Sequence, residues 1–403
     1  MADRFPGGVI SKTPPTVVAP VDGEGGSASG VWTLDEQLGL QKAGSWPQKV
    51  LPRELYAWGR NSIGQLGDST VVNKSSPVQI GALTNWEQVS SGSNHTISVK
   101  TDGTLWAWGS NSSGRLGDST VIARSSPVQI GALTNWEQVS VVNHSLAVTS
   151  SGALYAWGFN SSGQLGDGTT IARSSPVQIG ALTTWVQVSA GNIHSMSVKT
   201  DGTLWAWGGG GFGQLGNGVA FSGNKSSPVQ IGALTNWSQV SAGGYHTAAV
   251  TTGGVLYAWG LNSTGAVGDG SAINKSSPVQ VGALTNWSQV SAGVYHTTSI
   301  KTDGTLWAWG DNSPDGQLGD GTVVDKSSPV QIGALTNWSQ VSAFNHTISV
   351  KTDGTLWAWG LNTYGRLGDG TVVSRSSPVQ IGSLTNWFQP TAGGVNTVAI
   401  TRG

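Results

Sequence analysis

Cysteine is absent from this chain of 403 residues, so neither disulfides nor thiolate metal sites contribute to its stability. Charge is scarce too: Asp, Glu, Lys and Arg make up 10% of residues, against roughly 25% in an average soluble domain. The 20 basic and 21 acidic residues nearly cancel, giving a net charge of -1. No reserve of positive charge is left to release counterions from a phosphate backbone, so nucleic acid is not an expected partner. No apolar run approaches the roughly 20 residues of a membrane span. The first residues also lack the basic and apolar regions of a signal peptide, so membrane insertion is not expected.

Glycine and tryptophan are plentiful, with 60 and 20 copies, as in a turn-rich all-β protein. The chain exceeds the roughly 250 to 300 residues at which single cores stop growing, so it must be several domains or one repeat array. An array is indicated by the decamer KTDGTLWAWG, which occurs four times, starting at Lys100, Lys199, Lys301 and Lys351. The tripeptide Ala-Trp-Gly places Trp58, Trp108, Trp157, Trp207, Trp259, Trp309 and Trp359 at intervals of 49 to 52 residues. Ser-Ser-Pro-Val-Gln recurs in the same phase, from Pro77 to Pro378, and a further Trp follows each of these Pro residues after nine positions, from Trp86 to Trp387. Seven copies fill residues 54–403.

Within one period, Pro77–Ile80, Trp86–Ser90, Thr96–Thr101 and Thr104–Trp108 are short and rich in β-branched and aromatic residues, which predicts four strands per repeat. Asp102-Gly103 between the last two predicts a two-residue type I′ hairpin. Leu105 and Ala107 alternate with Trp106 and Trp108, so both faces of the strand are apolar and each sheet is expected to lie between neighbours. Small four-stranded sheets buried on both faces describe propeller blades. The first repeat strand, Glu54–Gly59, has no partner before it, and the last, Asn396–Thr401, has no Ala-Trp-Gly strand after it. These two are expected to pair, completing the last blade and leaving no open edge.

The motif Gly64-Gln65-Leu66-Gly67-Asp68, with Trp-Gly-x-Asn before it, Ser-Pro-Val after it and Gly-x-x-His-Thr later, resembles the repeat of the regulator of chromosome condensation family, over residues 54–403. The resemblance implies a seven-bladed propeller. It implies less about function, because members exchange guanine nucleotides on small GTPases, bind nucleosomes, sense ultraviolet light or serve as interaction platforms. The light-sensing signature Gly-Trp-Arg-His-Thr is missing, and there is no basic tail for a nucleosome. Exchange would need one distinguished loop, for which Val219–Asn224 in the fourth repeat is the candidate.

All six histidines, His95, His144, His194, His246, His296 and His346, occupy one repeat position, with Asn396 in the seventh. Equivalent positions on neighbouring blades lie roughly a sheet-packing distance of 10 Å apart, too far to share one zinc ion, so a buried structural role is expected. The loop Asp311-Asn312-Ser313-Pro314-Asp315-Gly316 departs from its siblings. With Asp320 it is similar to a calcium loop, making Asp311, Asp315 and Asp320 the candidate metal ligands, although the bidentate Glu is missing. No catalytic constellation or cofactor loop emerges from near-identical repeats, so an enzyme is not expected. What varies is the residue before the loop Asn, namely Arg60, Ser110, Phe159, Gly209, Leu261, Asp311 and Leu361, and the loop after Gly-Asp, Val71–Lys74 and its counterparts. Variation confined to loops on a rigid frame is how binding surfaces are diversified.

Residues 1–53 stand outside the array. Thr33-Leu34-Asp35-Glu36 reads as a capping box opening a short helix near residues 34–42, flanked by Trp32 and Trp46. A lone short helix needs something to pack on, which makes Trp32, Leu34, Leu38 and Trp46 candidate docking residues of an extended anchoring arm. The segments GGVISKTPP and SASGVWTLDEQLGLQKAGSWP resemble parts of structural proteins of marine bacteriophages, especially those of cyanobacteria. That resemblance implies a non-enzymatic virion component, displayed in multiple copies on capsid or tail as a decoration or fibre protein. It would be docked on other virion proteins through the arm, with variable loops available for a host glycan or protein. A cellular interaction adaptor or guanine-nucleotide exchange regulator of a small GTPase is the alternative.

Overall fold

The computed structural model describes residues 52–219 and 223–403, together with the backbone of two short strands, Val17–Val18 and Ser27–Ala28. These two pair antiparallel, Val17 opposite Ala28 and Val18 opposite Ser27. The expected helix near residues 34–42 and the docking residues Trp32, Leu34, Leu38 and Trp46 lie outside the described residues.

Residues 53–402 form one compact unit of seven four-stranded antiparallel sheets. The second blade shows the pattern: Trp86–Ser91, His95–Lys100, Leu105–Gly109 and Arg124–Gln129, in that order across the sheet. Its first strand lies nearest the axis. The equivalent strands of four blades converge on one cavity of about 330 Å³, to which they contribute Val89, Gln289, Val341 and Thr391. The fourth strand is the outer edge, and there Pro77 and its counterparts are tolerated because an edge N–H needs no ladder partner. These outer strands start before the proline, at Lys74 in the first, because Gly59 pairs with Lys74 across a bulge.

The closing blade, counted first, joins the two ends of the array: Trp387–Ala392 and Asn396–Thr401 supply its inner half, and Leu55–Gly59 and Lys74–Gln79 its outer half. Leu55 lies opposite Ile400 and Gly59 opposite Asn396. The expected closure is therefore present. Leu105, Ala107 and Trp108 are fully buried, so the third strand is apolar on both faces as its alternation implied.

The hairpin between the second and third strands differs from the expected type I′. Only Gly103 has positive φ, at 73°. Its N–H donates to Lys100 O, while Lys100 N–H donates to Thr104 O. That is a type I turn followed by a left-handed glycine, a three-residue loop with a G1 bulge. Asp102 stays at negative φ because its carboxylate accepts from the Thr104 N–H at 3.0 Å and the Thr104 hydroxyl at 2.6 Å.

Candidate interaction face

At one end of each blade lie the short loop between the first two strands and the long loop between the third and fourth; the turns carrying Asp102-Gly103 lie at the other end. The long loops are built by one repeated clamp. Asn61 Nδ2 donates to Asp68 Oδ1 at 2.8 Å and to Thr70 O, and its Oδ1 accepts from Leu66 N–H. Asp68 also accepts from the Thr70 amide and hydroxyl and pairs with Lys74. Burial opposes its ionisation, but the Thr70, Asn61 and Lys74 contacts outweigh it and hold the carboxyl below its ordinary range. Gly67 in the same turn has φ 81°, and a Cβ there would meet Trp108 Nε1 of the next blade at 2.7 Å. The Gly-Asp motif is thus a packing device.

The fourth blade lacks this clamp. Gly210 and Asn217 stand where other blades place Asn and Asp, so the side-chain clamp is lost, while Asn224 Oδ1 still accepts the Gly210 N–H as Asn73 accepts that of Asn61. Ala220, Phe221 and Ser222 of its expected distinguished loop lie outside the described residues.

The variable residues Arg60, Phe159, Leu261, Asp311 and Leu361 all open these long loops and are partly exposed. Each is pinned by its backbone where the contact is resolved: Arg60 N–H to Val395 O, Leu261 N–H to Tyr245 O, Asp311 N–H to Tyr295 O. Variation is therefore displayed on one end of a fixed frame. Beside these residues stand aromatics that sequence patterning did not single out. Tyr245 and Tyr295 stack at 5.8 Å, and Phe212 meets Tyr245 edge-on at 5.5 Å. Tyr295 and Phe212 are 41% and 38% exposed. A position-by-position comparison of repeats would have found them, since both tyrosines precede the repeat histidine where other blades carry Asn, Ile or Val.

The candidate metal ligands do not converge on one ion position. Asp320 Oδ1 accepts from Thr322 and Asn312 and its other oxygen faces Lys326, so it is the clamp aspartate of its blade. Asp315 accepts from the Ser374 hydroxyl, and Asp311 from Gln317 Nε2. Among the described residues no group of three His, Asp or Glu side chains is placed to hold a metal ion.

The histidines form an inter-blade ring. His95 Nε2 meets Ser145 Oγ at 3.1 Å, His144 meets Ser195 at 2.6 Å, and the series continues to His346 and Thr397 at 2.7 Å. Ser145 Oγ donates to Arg115 O, so its lone pair must accept from the imidazole, which fixes the Nε2–H tautomer. Burial, then the nearby Arg115, push His144 down to about 3. Asn396 takes the seventh place and accepts from Ser91 Oγ at 3.2 Å.

Fold and site together define a closed repeat propeller with a diversified loop face and a structural interior. Its repeats match the model of the RCC1-like domain over residues 142–400, well over half of the chain, and of the regulator of chromosome condensation (RCC1) repeat over residues 54–99 and 102–148. The chain belongs to the RCC1-like family. Yeast RCC1 (Prp20), solved bound to Kap60, is 22% identical with a TM-score of 0.76, over 88% of this chain and 89% of its own. Human WBSCR16 is 22% identical with a TM-score of 0.78, over 87% of this chain and 99% of its own. At that identity the likeness establishes the fold. No curated protein matches the chain.

Proposed function

We propose that this chain is a non-enzymatic protein-interaction platform that engages a partner through its long-loop face. The observation that carries this is the collection of Arg60, Phe159, Leu261, Asp311 and Leu361, which fill one repeat position with unlike side chains, at one end of the wheel and within reach of solvent. The chemistry-bearing side chains are otherwise occupied, with histidines holding blade to blade and aspartates clamping loops. A separate structure of Prp20p from Saccharomyces cerevisiae, 22% identical with a TM-score of 0.75, is described with its binding properties to Gsp1p and histones, so this fold serves as a binding frame in a relative.

The test is affinity capture with two matched variants. Phe159→Ser with Leu361→Ser alters the loop face; Leu133→Ser with Leu384→Ser alters leucines that are 45% and 42% exposed at the opposite end. Partner recovery should fall at least about tenfold for the first pair and stay unchanged for the second. Equal effects of both pairs, with unchanged melting, would remove the proposal.

Guanine-nucleotide exchange on a small GTPase is a narrower form of the same reading, favoured by the unclamped loop of the fourth blade. Labelled GDP should then leave a purified GTPase faster when the chain is added, and an unaltered rate across a panel would exclude it. Attachment to a virion through residues 1–53 is a distinct proposal and rests on the sequence resemblance of that segment. Mass spectrometry of purified particles should contain the chain; its restriction to cell cytosol would end that reading.

A further inference from the structure

We propose that Phe212, Tyr245, Tyr295 and Asp311 form a subsite on the loop face that takes a lysine or arginine side chain from a segment of a partner protein. The inference rests on the loop face being the interaction surface and adds the chemistry of what docks there.

Three observations converge. The first is the aromatic wall: Tyr245 and Tyr295 are stacked with an interplanar angle of 23°, and Phe212 closes one side at 76° to Tyr245. Their exposed π faces and edges attract an alkyl stem carrying a cation. The second is charge placement. Asp311 donates its N–H to Tyr295 O at 3.0 Å, which places its backbone beside the wall. The Tyr295 hydroxyl is pushed up by burial and then by the neighbouring Tyr245 and Asp311, as expected when a phenol stands beside a carboxylate.

The third is the absence of a balancing cation within the described residues. Asp311 is partly buried beside Asp325 and Asp315, and no Lys, Arg or His of the described residues makes an ion pair with Asp311 or Asp325. Other blades place Arg, Ser, Phe, Gly or Leu at the Asp311 position and Asn, Ala or Ser at that of Asp325. The two acids therefore appear together, in one blade, next to the one stacked tyrosine pair. Gln317 is 7% exposed; its Nε2 donates to Asp311 Oδ2, while its Oε1 has no protein partner. The Asp311 carboxylate, with Asp325 beside it and no protein cation paired to either, suits an N–H-rich cation, and arginine offers a fork that can meet a carboxylate with two N–H groups.

Burial, then Asp325 and Asp315, raise Asp311 to about 6. A bound cation favours the ionised carboxylate, so affinity should decline as pH falls through about 6. Arg366, His296 and Tyr295 give no competing change in that range. Arg366, within the field of Asp315, remains charged with its value lowered by burial only to about 10, His296, next to Tyr295 in the chain, is pushed down to about 3, and Tyr295 is raised above its ordinary value.

The probe is a fluorescent oligoarginine peptide compared with its citrulline counterpart, which keeps the shape and loses the charge, measured by anisotropy on the full chain. Oligoarginine should bind at least about tenfold more tightly, and Asp311→Asn, Tyr295→Ala and Asp325→Asn should each weaken it by about three- to tenfold. Asp353→Asn, in a hairpin turn at the other end of the wheel, should leave it unchanged. Thermal melting of each variant confirms that the wheel is intact. Equal binding of citrulline, or an affinity indifferent to Asp311→Asn and Tyr295→Ala, overturns the subsite. If those variants are silent while the Phe159 and Leu361 substitutions still abolish partner capture, the subsite alone fails. If neither set matters, the interaction face itself fails.

Discussion

The lysine that opens the repeated decamer occurs only where the decamer's first aromatic is tryptophan. Lys100, Lys199, Lys301 and Lys351 place Nζ 3.6 to 3.7 Å from the ring centroids of Trp106, Trp205, Trp307 and Trp357. The other three blades carry Thr149, Thr251 and Thr401 with Tyr155, Tyr257 and Tyr56. Thr104 belongs to the same module: its hydroxyl accepts from Trp106 Nε1 at 2.9 Å and donates to Asp102. Tyrosine has no ring N–H to satisfy, and the tyrosine blades accordingly carry Ala153, Val255 and Glu54 at the Thr104 position. Repetition of the decamer thus reflects four residues that need one another. Lys100→Thr and Trp106→Tyr should each destabilise the protein, and the double variant should lose less than the sum. The expected coupling is about 0.5 to 1 kcal/mol. Additive losses in urea titrations would show that lysine and tryptophan are independent.

At the scale of the element, each inner strand is tied to the next by a glutamine. Val139 N–H donates to Gln88 Oε1 at 2.8 Å, Val188 N–H to Gln138, and Val341 N–H to Gln289. The closing blade breaks this ladder because Pro390 replaces the valine and has no N–H. Gln340 accepts from Gln389 N–H instead, Gln389 is held at φ 46°, and its own Oε1 is left without a partner. A non-glycine residue in the left-handed region costs about 1 to 3 kcal/mol. Pro390→Val should therefore stabilise the protein by about 1 to 2 kcal/mol, read as a higher urea midpoint at constant slope. A midpoint that stays or falls would mean that the proline is relieved by its surroundings.

Strand number, blade number and the joining of Glu54–Gly59 to Asn396–Thr401 were legible in the sequence because hydrophobic alternation and the unmatched terminal strands are local facts. The turn type was not, since Asp-Gly fits both hairpin classes and the choice was made by the Asp102 carboxylate bonding Thr104. Nor was the Tyr245–Tyr295 stack, whose members are far apart in the chain and meet only when blades pack. Asp325, at the end of the same long loop as Asp311, was not legible for a different reason: only the folded loop brings its carboxylate back to accept the Asn312 N–H at 2.8 Å.

For the whole molecule, the histidine ring links stability to pH. The six imidazoles are buried, and burial is the main cause that holds His144, His194 and His296 at about 3 and His246 at about 4. In the unfolded chain they titrate near 6.5. As pH falls below that value, the unfolded state takes up protons that the folded state refuses, so stability is full above about 6.5 and lost as pH descends toward 4. Each histidine contributes a slope of at most about 1.4 kcal/mol per pH unit. Asp311, raised to about 6, opposes this and offsets part of one histidine. The clamp aspartates are held below their ordinary range, so they weaken the protein only at still lower pH. Asn396 fills the seventh place and accepts from Ser91, a contact particular to that joint, since Ala190 stands at the Ser91 position beside His144. His144→Asn removes one buried imidazole at the loss of its bond to Ser195, and should reduce the steepness of the stability loss between pH 6 and 4 by about one sixth, in urea titrations across that range. A variant with the wild-type slope would mean that His144 is protonated in the folded ring and that Ser195 accepts from an imidazolium, contrary to the burial that the structure assigns it.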